Sequence, residues 1–189
     1  MPVMKKTILE DISVYSMKIL IIDTSQKIGV AILYSQGLGS EKKKEFDSRE
    51  QQKVLIDSID SLFKESYTTL TDLTHIAICI GPGSFTGTRI GVMTGKTLAY
   101  GANLPLIPFN SLIPFHTPGT LTLLGLKNEE CYCFDGITLE KIPYTSLSKE
   151  SRPLFALDPT IIPFPTKQAT YSLDNILALT PQEEFSLLY

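Results

Sequence analysis

Two short stretches of this chain carry the side-chain types that handle phosphate. Asp23-Thr24-Ser25 ends a short apolar run that begins at Lys18, and an acidic residue followed by hydroxyls at a strand end is what nucleotide-binding α/β proteins set beside phosphate and metal. The same three residues also make an ordinary strand-end turn. Gly81-Pro82-Gly83-Ser84 follows a second apolar run, residues 75–80. Glycine reaches positive φ and proline presets φ, so these four residues form a turn, and Ser84 suits the N-cap of the helix after it. Free amides at a helix N-terminus hold anions. Asp23, Thr24, Ser25, Gly83 and Ser84 are therefore the candidate nucleotide-binding set.

Other chemistries lack their parts. The chain's two histidines, His75 and His116, offer no i, i+4 pair for a metal, so a glycoprotease-like metallopeptidase is the least supported reading. Gly-Pro-Gly-Ser-Phe-Thr-Gly is not the Gly-x-Ser-x-Gly elbow of a serine hydrolase. Cys131 and Cys133 flank Tyr132 and share a strand face, which predicts packing in the absence of further ligands. A small-molecule kinase or ATPase is the serious enzymatic alternative. It would need a second phosphate loop and an adenosine pocket in the C-terminal half, where no Gly-rich strand-to-helix signal is present.

The elements that must position these residues are legible in the first half. Residues 18–23 and 27–34 predict paired strands, with a turn at Gln36-Gly37, and the charged run from Glu41 to Glu45 predicts a solvated edge or loop. From Arg49 to about Ser66, Leu55, Ile59, Leu62 and Phe63 mark one face of an amphipathic helix. A second helix is predicted over residues 85–100, with Gly101 as its left-handed stop. Gly87, Gly91 and Gly95 recur at i, i+4, i+8 along it, a stripe that Thr94 and Leu98 continue. Each interior glycine costs about 1 kcal/mol relative to alanine. Close packing on the chain's own sheet would offset that, as would a face shared with a partner. Short strands are further predicted around residues 104–108, 120–126 and 130–134.

After residue 100 the style changes, because ten of the 12 prolines lie there and periodicity fades beyond Gly136. No internal repeat is visible. The expected organisation is an N-terminal extension over residues 1–16, disordered or upstream of a true start at Met17, then a first lobe over 17–112 and a smaller second lobe over 113–189. A formal charge of −3 argues against holding nucleic acid on a broad basic surface. An odd cysteine count and no apolar run near 20 residues predict a cytoplasmic protein without membrane spans.

Residues 18–25, the amphipathic helix and residues 75–112 together resemble the TsaB (YeaZ) family, with GPGSFTGTRIG as the specific part of the likeness. That family supplies the non-catalytic subunit of the bacterial machinery that makes threonylcarbamoyladenosine in tRNA. The resemblance implies an α/β fold of the actin/Hsp70/sugar-kinase (ASKHA) type, in two lobes, the second shortened and proline-rich. It implies docking on the catalytic subunit TsaD, a TsaE-type ATPase in the same assembly, a homodimer through the same helices, and only indirect contact with tRNA. ATP and metal would belong to the partner subunits, and the isolated chain would hold no cofactor.

Carried over by position, the interface comprises Leu55, Ile59, Leu62 and Phe63 of the first helix. In the second helix it comprises Phe85, Gly87, Thr88, Arg89, Gly91, Val92, Gly95 and Lys96. A bulky residue at Gly91 would then block docking. Which side faces the partner stays open, since the glycines can seat the helix on its own sheet while Arg89, Val92 and Lys96 face outward. The chain departs from the family at Arg49-Glu50-Gln51-Gln52, where a histidine is usual, and at Gly125-Leu126-Lys127, where Asp-Ala-Arg is usual; Glu130 and Tyr132 match.

Overall fold

The computed structural model describes residues 17–36, 40–47 and 51–179. The expectations for residues 1–16, for Arg49 and Glu50 and for the C-terminal residues 180–189 lie outside them. Contacts divide the described chain into two units, one running to Phe109 and the other spanning Asn110–Leu179.

The first unit is a five-stranded mixed sheet of order β3-β2-β1-β4-β5, built from β1 (Lys18–Asp23), β2 (Ile28–Ser35), β3 (Ser40–Asp47), β4 (His75–Cys79) and β5 (Leu106–Phe109). β1 is central, antiparallel to β2 (Ile21 opposite Ile32) and parallel to β4 (Ile21 opposite Ala77). Burial on both faces explains its nearly unbroken apolar run. The charged stretch became β3, an edge strand whose three lysines discourage pairing with another chain. Pro108 is tolerated because β5 is the opposite edge.

Helices α1 (Gln51–Glu65) and α2 (Phe85–Ala102) share one core cluster. Leu55, Ile59 and Leu62 of α1, with Val92 and Ala99 of α2, bury Leu20, Ile22, Ala31, Leu33, Ile76 and Ile78 of the sheet. Ser84 caps α2 as expected, its hydroxyl oxygen accepting from the Gly87 N–H at 3.1 Å. The stop lies further on than expected. Gly101 stays inside the helix, and Asn103 takes the left-handed conformation (φ 53°, ψ 46°), with Leu104 N–H reaching back to the Ala99 carbonyl. Asparagine is the other residue that adopts this conformation readily, so the chain did not need the glycine.

The second unit repeats the first. Its strands β6 (Leu121–Gly125), β7 (Glu130–Phe134), β8 (Leu139–Pro143), β9 (Leu154–Ala156) and β10 (Lys167–Gln168) form a sheet of order β10-β9-β6-β7-β8. β6 is antiparallel to β7 and parallel to β9, as β1 is to β2 and β4. The repeat lies in the topology and not in the residues, where none is visible. Where α1 stands in the first unit, the second has a 3₁₀ segment, Tyr144–Lys149; where α2 stands, it has irregular chain containing Pro159, Pro163 and Pro165. Proline inside a helix removes a hydrogen bond and clashes with the preceding turn. A short helix, α3 (Asp174–Leu177), follows. Cys131 and Cys133 pack inward with Leu121, Leu123 and Ala156, and burial pushes the Cys131 thiol up to about 12.

Candidate protein interface

The proposed phosphate residues do converge, and they engage one another. The Ser25 N–H donates to Asp23 Oδ1 at 2.8 Å, and the Ser84 N–H donates to the Ser25 carbonyl at 2.7 Å. Thr24 Oγ1 donates to the Gly87 carbonyl at 2.7 Å. Gly81 has φ 96° and precedes a cis proline. A Cβ on Gly83 would lie 2.2 Å from the Ser25 oxygen, so glycine is required for this close approach. Two of the amides that would face an anion are consumed, those of Ser84 and Gly87. The arrangement is a latch between β1 and the start of α2.

Asp23 is 5% exposed, and burial raises its carboxyl above the ordinary 3.8, opposed by hydrogen bonds from Ser25. An acid whose folded pKa is raised destabilises the fold when ionised, so this contribution is relieved as pH falls through the raised value toward 3.8. His75 and His116 act oppositely: burial lowers both from 6.5, and the stability they contribute is lost as pH falls below that value. Asp23→Asn keeps an oxygen acceptor for Ser25 and removes the charge. Urea midpoints of the two proteins, measured across this acidic range, are expected to show the variant gaining on wild type as pH rises. A difference independent of pH would contradict an uphill ionisation at Asp23.

The glycine stripe faces the sheet. A Cβ at Gly91 would meet Thr24 Oγ1 at 2.3 Å, and one at Gly95 would meet Ile78 Cγ2 at 2.3 Å. Gly87, Thr88 and Val92 are buried on this same side, as are Leu55, Ile59 and Leu62 of α1. These eight residues, expected at a partner surface, hold the unit's own core instead, and Val92 in particular points inward. A bulky residue at Gly91 therefore tests folding and not docking. Phe63 is half-buried against the core. Of the expected set, Phe85, Arg89 and Lys96 are exposed.

The opposite side of α2 carries a stripe of which sequence reasoning named Phe85, Arg89 and Lys96 and passed over Met93, Tyr100 and the neighbouring Ile56. Phe85 is 54% exposed, Met93 64% and Tyr100 92%, and Ile56 of α1 is 47% exposed beside them. Residues 85, 89, 93, 96 and 100 recur at three- and four-residue steps, so they lie on one side of the helix. Ile56, Arg89, Ile90, Met93, Thr97 and Leu98 line a groove of about 510 Å³ between the two helices. The Arg89 guanidinium stands 3.8 Å from the Phe85 ring centroid, a cation–π contact. The available signal was the position of large apolar residues opposite the glycines, and Ile56 among the polar residues of α1. A contiguous exposed apolar surface of this kind marks an interaction site more often than isolated apolar side chains do.

Elsewhere the chemistry is sparse. His75 bonds the Thr74 hydroxyl and His116 the Thr122 hydroxyl, so each has a local partner. Among the described residues no three His, Cys, Asp or Glu side chains gather as metal ligands, and no helix is long and apolar enough to cross a membrane.

Two mixed sheets with flanking helices make this an α/β protein, and its most distinctive surface is an exposed helix pair. The chain has sequence and structural homology to the TsaB/YeaZ proteins. It is 36% identical to the Escherichia coli (strain K12) tRNA threonylcarbamoyladenosine biosynthesis protein TsaB over 97 residues, which is 51% of this chain and 42% of that protein. It is 45% identical over 53 residues to the tRNA N6-adenosine threonylcarbamoyltransferase of Lacticaseibacillus casei (strain BL23), 28% of this chain and 16% of that one. The model of the family TsaD, tRNA N6-adenosine threonylcarbamoyltransferase, matches residues 45–136. These matches thus span less than half the length of either relative. In structure, an uncharacterized Pseudomonas aeruginosa protein with similarity to peptidase YEAZ superposes with a TM-score of 0.73, covering 92% of this chain and 99% of that one at 16% identity. At that identity the likeness establishes the fold.

Proposed function

We propose that this chain is a non-catalytic subunit that docks, through the outer side of α2 and the adjoining edge of α1, on a TsaD-type transferase and supports threonylcarbamoylation of tRNA. The observation that carries this reading is the exposed Phe85-Met93-Tyr100 stripe, in a segment that the TsaD family model matches. A helix face built of the same segment in both chains gives the two proteins related surfaces to pack together. In this reading the two units form the two lobes of an actin-like arrangement, and the second, stripped of its long helices, leaves docking to the first. ATP and metal reside with the partners, a TsaE-type ATPase joins the assembly, tRNA is met through the complex, and the setting is the cytoplasm. The kinase alternative loses support because the candidate cradle is engaged in its own hydrogen bonds.

Mixing the purified chain with the TsaD-type chain of the same organism and weighing the product is the test. A one-to-one complex is expected, with modification of tRNA dependent on this chain. The chain alone is expected neither to bind nor to hydrolyse ATP. Turnover lost on Asp23→Ala, with no complex formed, would favour the kinase.

A further inference from the structure

In place of α1 and α2 the second unit has a 3₁₀ segment and an irregular loop, and between these and the β6–β7 turn lies a cavity of about 800 Å³. Leu126, Ile161, Pro163 and Phe164 give it an apolar lining, and Ile161 is 46% exposed. Tyr144 also lines it and ties the turn to the 3₁₀ segment: its hydroxyl donates to the Leu126 carbonyl at 3.0 Å and its N–H to the Glu129 carbonyl at 2.9 Å. The turn adds Lys127 and Glu129, both exposed, and neither has an ion-pair partner among the described residues. Neighbouring Glu130 is held by Lys141 at 2.6 Å. Glu129 takes a left-handed backbone, φ 60°, which strains a residue with a long side chain and which glycine adopts freely. Strained positions of this kind gather at ligand sites. An apolar wall with a few charged groups at set places is the usual make-up of a small-molecule site.

We propose that this cavity binds a free α-amino acid with a large apolar side chain, its carboxylate paired with Lys127, its ammonium with Glu129 and its side chain against Ile161, Pro163 and Phe164. The ligand class follows from the charges. Two side chains of opposite sign stand two positions apart on one turn beside an apolar wall, and an α-amino acid carries both opposite charges and its apolar group on one carbon. A peptide segment has neutral amides there and leaves both ions unanswered. Exposed ion pairs contribute little individually, so burial of the ligand side chain supplies most of the affinity and the charges set its orientation. The site belongs to the second unit, and the inference does not depend on the docking role.

Titration of the full chain, labelled with ¹⁵N, with L-phenylalanine tests this. The amides of Lys127, Asn128, Glu129 and Phe164 are expected to shift, with a Kd of about 1 mM. L-Phenylalaninamide, which lacks the carboxylate, and N-acetyl-L-phenylalanine, which lacks the ammonium, should each bind about threefold more weakly. Lys127→Gln should bind L-phenylalanine and its amide alike. Glu129→Gly should bind L-phenylalanine about threefold more weakly while its urea midpoint rises, because the strain is relieved as the ammonium loses its partner. A merely structural Glu129 would move the midpoint alone. Equal affinity of wild type for the three probes would overturn the proposal, as would the absence of any shift at these amides. N-Acetyl-L-phenylalaninamide binding more tightly than the free amino acid would assign the cavity to a peptide segment and overturn it as well.

Discussion

Met93→Glu is expected to weaken binding to the TsaD-type chain by about a hundredfold, close to 3 kcal/mol, while leaving the fold intact. Met93 lies midway along the exposed stripe and lines the groove with Ile56, Thr97 and Leu98. At the centre of a desolvated contact, a carboxylate must be buried without a partner, and truncations there are the ones that dominate binding energy. In the free chain the side chain is 64% exposed, so the same substitution should shift unfolding by no more than about 0.5 kcal/mol. Ile56→Glu should act in the same direction, because Ile56 reaches the groove from α1. Isothermal calorimetry against the partner, with thermal unfolding of the chain alone, separates the two effects. Unchanged affinity in a folded Met93→Glu protein would remove the outer side of α2 from the interface.

The contrast between the two sides of α2 shows what the sequence made legible. Helix position, N-cap and glycine period were readable because they are local: a turn motif, a hydroxyl at the cap and a fixed step of four. What faced what was not local. Small residues permit close approach, but a stripe of them does not say whether the approaching surface is Ile78 of the same chain or a helix of another. The phosphate residues show the same limit. Asp23, Thr24, Ser25, Gly83 and Ser84 lie in one place, yet whether their donors and acceptors face outward or one another depends on distances of an ångström or two. The second unit was harder still. Its strands are short and irregular in pattern, β9 only Leu154–Ala156 and β10 only Lys167–Gln168, so periodicity had nothing to register. Only the pairing of β6 with both β7 and β9 reveals that the chain builds one topology twice.

The glycines themselves provide the sharpest energetic test, because two of them in the same helix should respond in opposite directions to alanine. Gly101→Ala places its methyl where no atom lies within 4 Å, inside α2 and without a positive φ to resist it. Helix propensity and reduced freedom of the unfolded chain should then stabilise the protein by up to about 1 kcal/mol. Gly95→Ala receives the same propensity gain, but its methyl would sit 2.3 Å from Ile78 Cγ2. Ile78 is 0% exposed on β4 and branched at Cβ, so its methyl has no free rotamer to retreat into. Overpacking of this kind costs about 1–3 kcal/mol, which exceeds the gain, and Gly95→Leu should cost more or prevent folding. Urea titrations of both alanine variants decide the matter: equal stabilisation by the two would mean that α2 does not rest on the sheet at Gly95. The folded Gly95→Ala protein is further expected to bind the TsaD-type chain with unchanged affinity, since the surface proposed to meet the partner lies on the far side of the helix.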